Sequence, residues 1–490
     1  MIIDLNEAGP EALSGTFDLA VCGTGPAGMT VAREVAARGG RVLLLEGGGL
    51  DPSAQSQAVY EGESVGTVPY PHVQSCRLRY LGGTSMHWSG RCAIFDRIDF
   101  EPRAIFGMPG WPISYDEAYR RLADAMAILD LAPDALARDP EGYDWPSDRF
   151  RVARFALSSP TRFGTKYRDE LAASDRILTV LNANVTDMTL SADGRRVESA
   201  EVTRYDGAAQ TVRADRFVLA MGALENARFL LNANRQEIAG LGNATDWVGR
   251  AFMEHFEIQF GRFVTRQNAF WSKMPSDMLA LLPTQETMRR LDVGNGTLAL
   301  KVGAPPRFYG RAAPLRKIRR DITCASPALL RAARAEGDLV CPGDGFTGSI
   351  MEHLPNRDSR VLLQEDARDQ FGKPRLAVRL EIQPNDLRTV RALAEQVGMG
   401  LAETDLARFK IDGGVYEGGL SLGGHCHQMG TTRMAERARD GVVDADCRVH
   451  GTENLYVGGS SVFPTGGGVN PTLTIVALAL RLGEHIGNQL

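Results

Sequence analysis

The chain has 490 residues, of which 43% are hydrophobic and 23% are charged, and its formal net charge is −5 at pH 7. This length favours two joined domains over one small core. The negative net charge does not indicate a protein that binds nucleic acid. No run of eighteen apolar residues is present that could span a membrane. Glycine accounts for 53 of the 490 residues, which indicates many tight turns or close backbone approaches.

The cysteines and the first residues bear on the compartment. Seven cysteines are scattered along the chain, and no two are spaced C-x-x-C. This usage is typical of a reducing compartment and not of a disulfide framework. The start, M-I-I-D-L-N-E-A-G-P, contains no basic segment, twin arginine or apolar run of a secretory signal. We therefore expect a cytoplasmic protein.

Residues 17–46 carry the pattern of a dinucleotide-binding unit. An apolar strand over 19–22 leads into a G-T-G-P-A-G turn, an alanine-rich helix over about 27–38 and a second apolar strand over 41–45. In such a unit Gly23 makes the tight turn, Gly25 lets the backbone approach a pyrophosphate, and Gly28 lets the helix pack on the strand. The start of the helix offers free amides and a positive dipole to the phosphates.

Glu46 ends the second strand of this unit. At that distance from the glycines a carboxylate accepts a hydrogen bond from a ribose hydroxyl. A glutamate there favours FAD or NAD over NADP, because NADP carries a phosphate on the 2′-oxygen.

The middle of the chain alternates between loop and strand patterns. Residues 76–92 read C-R-L-R-Y-L-G-G-T-S-M-H-W-S-G-R-C, which suits a loop pressed against a flat ligand. Strand alternation begins near 175, and a strand then leads through Gly222 into a helix at about Ala223. Further strands are predicted over 359–363 and 375–382, with a helix over 384–401. The basic segment 307–321 is interpreted as a solvated face in preference to a lid or an assembly arm.

Two stretches near the C-terminal end carry candidate chemistry. G-H-C-H-Q-M-G-T-T-R-M (424–434) contains two histidines, but a zinc site would need three or four ligands and no partner cluster lies nearby in the sequence. N-L-Y-V-G-G predicts a buried strand that ends at a glycine pair, and V-N-P-T-L-T-I opens an apolar helix. Pro471 would occupy the first helical turn, and Asn470 would be the N-cap residue.

Together with the glycine motif, the phrases P-G-W-P-I-S (109–114), G-V-V-D and N-P-T-L-T-I resemble the glucose–methanol–choline (GMC) oxidoreductases, an FAD family that oxidises alcohols. G-G-T-S-M-H-W is similar to the G-G-M-S-T-H-W of the pyranose oxidases, which places the chain nearest the sugar- and glycoside-oxidising branch. Many other members have Asp where this chain has Gly459, which weakens the analogy with aryl-alcohol and choline oxidases.

The resemblance implies an α/β fold, in which a doubly wound, Rossmann-like FAD-binding domain carries an inserted α+β substrate domain with an antiparallel sheet. The FAD-binding domain would comprise residues 1–130, 171–261 and 421–490. Residues 131–170 would be a connecting segment on the substrate side, and residues 262–420 would form the substrate domain.

The resemblance also implies the site residues. His427, in H-Q-M-G-T, and Asn470, in V-N-P, match the catalytic pair of the family, whereas His425 falls outside the pattern as a supporting residue. Besides the glycine motif and Glu46, the implied FAD contacts are Gly82, Gly83, Ser85, His87, Trp88, Val185, Gly222, Gly459, Ser460, Pro471 and Thr472. No metal site is predicted. Non-covalent FAD is favoured over a covalent bond from His87, which is the residue that matches the flavin-linking histidine of pyranose oxidases.

The implied reaction is oxidation of a ring secondary alcohol of a sugar or glycoside to a keto-sugar, with His427 as general base and hydride transfer to flavin N5. A GMC dehydrogenase or oxidase of a polyol, primary alcohol or sterol is the alternative, although the polar, basic 262–346 segment disfavours a sterol. An NAD(P)H-linked flavin reductase would need a second G-x-G-x-x-G site, which the sequence lacks. The electron acceptor (oxygen, a quinone or a redox protein) and the oligomeric state are left open.

Overall fold

A computed structural model of the chain describes residues 1–70, 73–137, 145–266, 268–271, 278–303, 313–336, 341, 343–417 and 423–490. The described residues contain two eight-stranded sheets, a three-stranded sheet and a two-stranded sheet. The first large sheet carries the dinucleotide motif, and the second lies beside the histidine-containing loop.

The first sheet is parallel at its centre. Its parallel strands, in spatial order, are Ile2–Asp4, Ile177–Leu181, Val42–Leu45, Thr16–Cys22 and Ala209–Leu219. The C-terminal half of the last strand also pairs in parallel with Leu455–Val457. The N-terminal half of Ala209–Leu219 pairs in antiparallel orientation with Val197–Thr203, which pairs in turn with Asn184–Leu190. The central strands are buried on both faces, as expected for a parallel sheet covered by helices.

The predicted elements around the dinucleotide motif are confirmed. The strand Thr16–Cys22 and the helix Pro26–Ala37 follow the expected order, and the helix packs against the C-terminal helix Thr472–Gly487. The helix Ala223–Asn232 begins where it was predicted, directly after Gly222. Proline at the start of Pro26–Ala37 fits the first helical turn, where no amide hydrogen is needed.

The second large sheet is antiparallel. Its strands, in spatial order, are Ala407–Ile411, Gly261–Thr265, Asp344–Glu352, Gly296–Val302, Met278–Pro283 and Phe150–Val152. The short strand His255–Glu257 pairs with the end of Asp344–Glu352 on one side and with Gly423–Gly424 on the other. This pairing brings the chain before His427 beside His255. The predicted α/β fold with an additional antiparallel sheet is therefore confirmed, while the exact domain boundaries stay a prediction.

The remaining elements are short or lie at the periphery. The predicted strands over 359–363 and 375–382 are present as Arg360–Arg368 and Pro374–Arg379, and they form the three-stranded sheet with Gly62–Ser64. The two-stranded sheet pairs Arg91–Cys92 with Ala156–Leu157. The other α-helices are Ala54–Gln57, Tyr115–Ala118, Leu122–Ile128, Phe163–Lys166, Arg168–Ala173, Asn268–Trp271, Gln285–Leu291, Ala313–Ala325, Pro327–Glu336, Pro384–Glu403 and Gly414–Glu417. Short 3-10 turns occur at Pro10–Leu13, Ala58–Tyr60, Gly83–Met86, Arg97–Phe100, Ala104–Phe106, Ala438–Asp440 and Ser460–Val462.

The basic segment is an exposed helix where the structure describes it. Residues 307–312 lie outside the described residues, and Ala313–Ala325 forms a helix with Leu315 and Ile322 more than half exposed. None of the helices in the described ranges is long and apolar enough to cross a bilayer.

The expectation that the cysteines form no disulfides is wrong. Cys76 is bonded to Cys426, and Cys324 is bonded to Cys341, with Cα atoms 5.6 and 5.7 Å apart. Both separations lie in the range that a disulfide spans. The first pair joins residues 350 positions apart, so its proximity is created by the fold and cannot be read from spacing.

Candidate active site

A cavity of 580 Å³ lies at the carboxyl ends of the central parallel strands, where the last residues Cys22 and Leu45, and Ala220 directly after Ala209–Leu219, reach its wall. Ligands of open α/β sheets bind at this edge. His427 and Asn470, which follow the second sheet in the chain, also line the cavity. The cavity therefore joins the dinucleotide motif to the candidate catalytic pair.

The glycines of the motif, together with Gly222, divide into two groups. A side chain on Gly23, whose φ is +107°, would place its Cβ 2.5 Å from the Ala220 carbonyl oxygen, and a Cβ on Gly28 would lie 1.9 Å from the Gly23 carbonyl oxygen. These two glycines allow the tight turn and the close packing of the helix. A Cβ at Gly25 or Gly222 would meet no atom within 4 Å, and both residues line the cavity, so the space beside them is free for a ligand.

Glu46 is buried at the end of the strand Val42–Leu45 and lines the cavity. Its Oε1 accepts a 3.0 Å hydrogen bond from the Gly48 amide, and its Oε2 accepts one from the Thr24 hydroxyl. The Thr24 hydroxyl oxygen in turn accepts a 3.0 Å hydrogen bond from the Gly82 amide. The Thr24 amide also donates to Oε2, at 3.3 Å, so Oε2 already accepts two hydrogen bonds. Since a carboxylate oxygen has two acceptor positions, Oε1 can still accept from a ribose hydroxyl.

The loop predicted to face a flat ligand reaches the same cavity. Gly83, Ser85, His87 and Trp88 line it, whereas Gly82 packs behind the wall, where a Cβ would lie 2.4 Å from the Gly164 amide nitrogen. The exposed His87 places Nε2 2.9 Å from the Tyr80 hydroxyl.

The other predicted contacts also converge on this space. Of all the predicted site residues, Gly28 and Gly82 alone do not line the cavity. The remaining predicted residues that do so are Val185, Gly222, Gly459, Ser460, Pro471 and Thr472.

His427 and Asn470 form a hydrogen-bonded pair on the cavity wall. The Asn470 Nδ2 lies 3.0 Å from the His427 Nε2. The Asn470 Oδ1 is buried and has no hydrogen-bond partner among the described residues. A hydroxyl group that replaces this direct contact can be bound by both side chains, with the amide as donor and the imidazole as acceptor.

The prediction that Asn470 is the helix N-cap is wrong by one residue. Pro471 is the N-cap of Thr472–Gly487, and its carbonyl oxygen accepts the first helical hydrogen bond, from the Ile475 amide. Asn470 therefore precedes the cap, and its side chain points to His427 instead of to the helix amides.

The environment of His427 keeps its imidazole neutral. Burial lowers its pKa well below the ordinary histidine value, and the neighbouring rings of His255 and His425 lower the pKa further. His425 lines the cavity as well, with its ring stacked on that of His427 at a centroid distance of 5.7 Å. Its Nε2 lies 3.0 Å from the Ser349 carbonyl oxygen, which fits the supporting role expected from the sequence.

Three residues that connect to His427 through hydrogen bonds were not predicted from the sequence. His255 places its Nδ1 2.8 Å from the His427 Nδ1. Glu254 accepts hydrogen bonds from the main-chain amides of both histidines and from the hydroxyl of Tyr70. Burial raises the pKa of Glu254 to about 7, although these hydrogen bonds lower it. The one available signal was a pair of ionisable residues, E-H, inside the apolar run A-F-M-E-H-F.

Comparisons with known proteins agree with this architecture. A family model described as GMC oxidoreductase matches residues 355–479. A C-glycoside 3-oxidase of Arthrobacter globiformis is 32% identical over 84% of this chain and 74% of its own length. The 2-methyl-1,2-propanediol dehydrogenase of Mycolicibacterium austroafricanum is 24% identical over 96% of this chain and 95% of its own length. Among solved structures, pyridoxine 4-oxidase from Mesorbium loti has the same fold, with a TM-score of 0.58 at 16% identity over 96% of this chain and 98% of that one. The family indicated by the sequence motifs is thus confirmed, and the chain is an oxidoreductase that belongs to the GMC family.

Proposed function

We propose that this protein oxidises a ring secondary alcohol of a sugar or glycoside to a ketone, with FAD as its cofactor. The observation that carries the proposal is the 3.0 Å contact between His427 and Asn470 on the wall of a cavity that the dinucleotide motif also lines. The sugar or glycoside substrate class is supported by the relative named C-glycoside 3-oxidase.

The residues around the cavity fit FAD. The open space beside Gly25 and the start of the helix Pro26–Ala37 suit a pyrophosphate, because free amides and the positive end of the helix dipole face it there. Glu46 has acceptor capacity for a ribose hydroxyl, and the loop from Gly83 to Trp88 offers a surface for the ring system. When bound, FAD supplies the hydride acceptor that no side chain can supply.

His427 takes the proton in this proposal. A neutral imidazole at the cavity wall can accept the hydroxyl proton of an alcohol, and its lowered pKa keeps it neutral. Asn470 donates from Nδ2 to the same hydroxyl oxygen and so holds the alcohol beside the base. The N-terminal end of the helix Thr472–Gly487 adds a positive dipole next to this oxygen, which favours the developing negative charge.

Substitution of the pair tests these roles. His427→Ala should lower turnover by about 10² to 10⁴, which is the usual cost of removing a general base, while the flavin remains bound. Asn470→Ala should cost less, because the amide positions the alcohol without accepting its proton. His425→Ala is the matched control, since it removes a histidine from the same loop and the same cavity. Severe loss in His425→Ala together with full activity in His427→Ala would reverse the assignment.

A second candidate is oxidation of a polyol or another small alcohol. It is favoured by the relative named 2-methyl-1,2-propanediol dehydrogenase, which matches almost the whole chain. A panel of glucose, C- and O-glycosides and polyols, each assayed with oxygen and with a dye acceptor, separates the two candidates and identifies the type of acceptor. Turnover of polyols without any turnover of sugars or glycosides would replace the first candidate with the second.

A further inference from the structure

The imidazole ring of His255 is completely buried, and within the described ranges its hydrogen-bond partners are two main-chain carbonyl groups and the ring of His427. Its Nε2 lies 3.1 Å from the Gly466 carbonyl oxygen and 2.9 Å from that of Gly467. Its Nδ1 lies 2.8 Å from the His427 Nδ1. Because carbonyl oxygens only accept hydrogen bonds, the Nε2 of His255 must carry a proton.

The two glycine carbonyls are held in place from the other side. The amides of Gly466 and Gly467 donate to Oε1 of Glu352 at 3.1 and 3.0 Å. Glu352 is the cross-strand partner of His255 in the second sheet. The strand His255–Glu257 and its partner Asp344–Glu352 therefore position both His255 and the two carbonyl oxygens to which its ring donates.

This arrangement determines which nitrogen of His427 is protonated. Burial and the neighbouring His425 lower the pKa of His255 to about 4, so its ring is neutral at neutral pH and has one proton. That proton is on Nε2, which leaves a lone pair on Nδ1. The 2.8 Å contact between the two Nδ1 atoms is then a hydrogen bond only if His427 donates it.

The other end of His427 agrees with this assignment. When its single proton is on Nδ1, Nε2 carries the lone pair. Nε2 lies 3.0 Å from Asn470 Nδ2, a group that can only donate. The contacts at the two nitrogens of His427 thus require the same tautomer, with the proton on Nδ1. The hydrogen-bond sequence runs from Asn470 through His427 and His255 to the carbonyl oxygens of Gly466 and Gly467.

We propose that His255 is a positioning residue that holds the proton of His427 on Nδ1 and keeps Nε2 unprotonated, so that Nε2 can receive the proton of an alcohol that takes the place of the Asn470 amide at its lone pair. This inference rests on the proposed role of His427 as the base. His255 is not a proton relay, because the partners of its Nε2 among the described residues are carbonyl oxygens, which do not pass a proton on. The proton accepted by His427 leaves through the cavity.

Two substitutions at His255 and one elsewhere test the proposal in the flavin-loaded enzyme. His255→Leu removes the acceptor and should lower kcat at least about tenfold with a smaller change in KM, because a catalytic imidazole in the wrong tautomer is inactive. His255→Asn places an amide oxygen near the position of Nδ1 and should restore much of that loss. His353→Leu is the matched control: His353 is equally buried and bonds the Glu381 carbonyl oxygen through Nε2, but it lies outside the hydrogen-bond sequence of His427.

A spectroscopic measurement reads the tautomer directly. With eight histidines in the chain, ¹⁵N-histidine spectra are simple, and His427→Gln identifies the signals of His427. The wild type should show His427 protonated on Nδ1 and unprotonated on Nε2, and His255→Leu should shift the proton toward Nε2. A wild-type His427 that carries its proton on Nε2, or an unchanged kcat in a folded His255→Leu variant, would overturn the proposal. If His255→Leu does not fold, the wild-type spectrum and the His255→Asn variant still decide.

The outcomes also separate this inference from the proposed function. Full turnover in His427→Ala would reject His427 as the general base. The spectra would still show whether His255 determines the tautomer of His427. Loss of turnover in His427→Ala with no tautomer shift in His255→Leu would leave the base in place and reject the positioning role alone.

Discussion

The main-chain amide of His427 donates a 2.6 Å hydrogen bond to the carboxyl group of Glu254, which precedes it by 173 residues. The same oxygen, Oε1, accepts the His255 amide at 2.9 Å, and Oε2 accepts the Tyr70 hydroxyl at 2.8 Å. One buried carboxyl group therefore fixes the backbone of both histidines.

Glu254 should make stability depend on pH. Its pKa is raised from 4.5 to about 7 in the folded protein, so between these values only the unfolded state ionises. The free energy of unfolding therefore falls as pH rises through this window, by up to about 3 kcal/mol from this group. Glu254→Gln, which stays neutral, should gain Tm relative to the wild type from pH 4.5 to 7 and then reach a plateau.

Thermal unfolding of both proteins across pH 4.5 to 8 measures this difference. Glu257→Gln, at an exposed position three residues further along the chain, is the control and should not reproduce the gain of Glu254→Gln. A Tm difference between Glu254→Gln and the wild type that is constant with pH would contradict the raised pKa.

The acidic limb of activity should lie well below pH 6.5. His427 must be neutral to accept a proton, and burial together with His255 and His425 lowers its pKa. The ratio kcat/KM should therefore hold constant as pH falls through 6.5 and decline only at lower pH. Measuring flavin retention at each pH separates protonation of His427 from loss of the cofactor. A decline of kcat/KM centred near pH 6.5 would contradict the lowered pKa of His427.

Flavin should be released by acid precipitation. The Nε2 of His87 is already bonded to the Tyr80 hydroxyl, which leaves this nitrogen unavailable for a flavin bond unless the contact breaks. We expect the yellow colour in the supernatant of the wild type. Flavin that stays in the pellet of the wild type but not of His87→Ala would establish a covalent bond instead.

The Cys76–Cys426 disulfide should support the catalytic loop, because Cys426 lies between His425 and His427 and both cysteines line the cavity. The double variant Cys76→Ser/Cys426→Ser should lose about 2 to 5 kcal/mol of stability. It should also lose more turnover than Cys324→Ser/Cys341→Ser, whose cysteines are not among the cavity-lining residues.

The pairing itself is checked by alkylation of the denatured wild type. Before reduction three of the seven cysteines should react, namely Cys22, Cys92 and Cys447, and all seven should react afterwards. Reaction of all seven before reduction would show that neither pair is bonded.

Local pattern sufficed to predict the strand, turn and helix that border one side of the cavity. Gly23, Gly25 and Gly28 lie within six residues, and their roles follow from the turn that connects one strand to one helix. His427 and Asn470 could be named from two short motifs, although these motifs did not reveal the 3.0 Å contact between the two side chains.

The rest depends on contacts between distant segments. His255 belongs to no motif, and its contact with His427 arises because the strand His255–Glu257 pairs with Gly423–Gly424. The Cys76–Cys426 bond is hidden for the same reason. The N-cap was predicted one residue too early, at Asn470, because a proline can stand just before a helix as well as in its first turn.

The strand Leu455–Val457 fills a position beside Ala209–Leu219 in the first sheet, and the helix Thr472–Gly487 covers Pro26–Ala37. The first sheet is therefore complete only when residues 455–457 are present, more than 200 positions after the strand that they join. A nascent chain halted before residue 455 would leave one side of the segment 217–219 unpaired and the first helix uncovered. The cavity is thus completed only after residues 455–487 have been synthesised, and a truncation before residue 455 would impair the first sheet as well as remove Asn470.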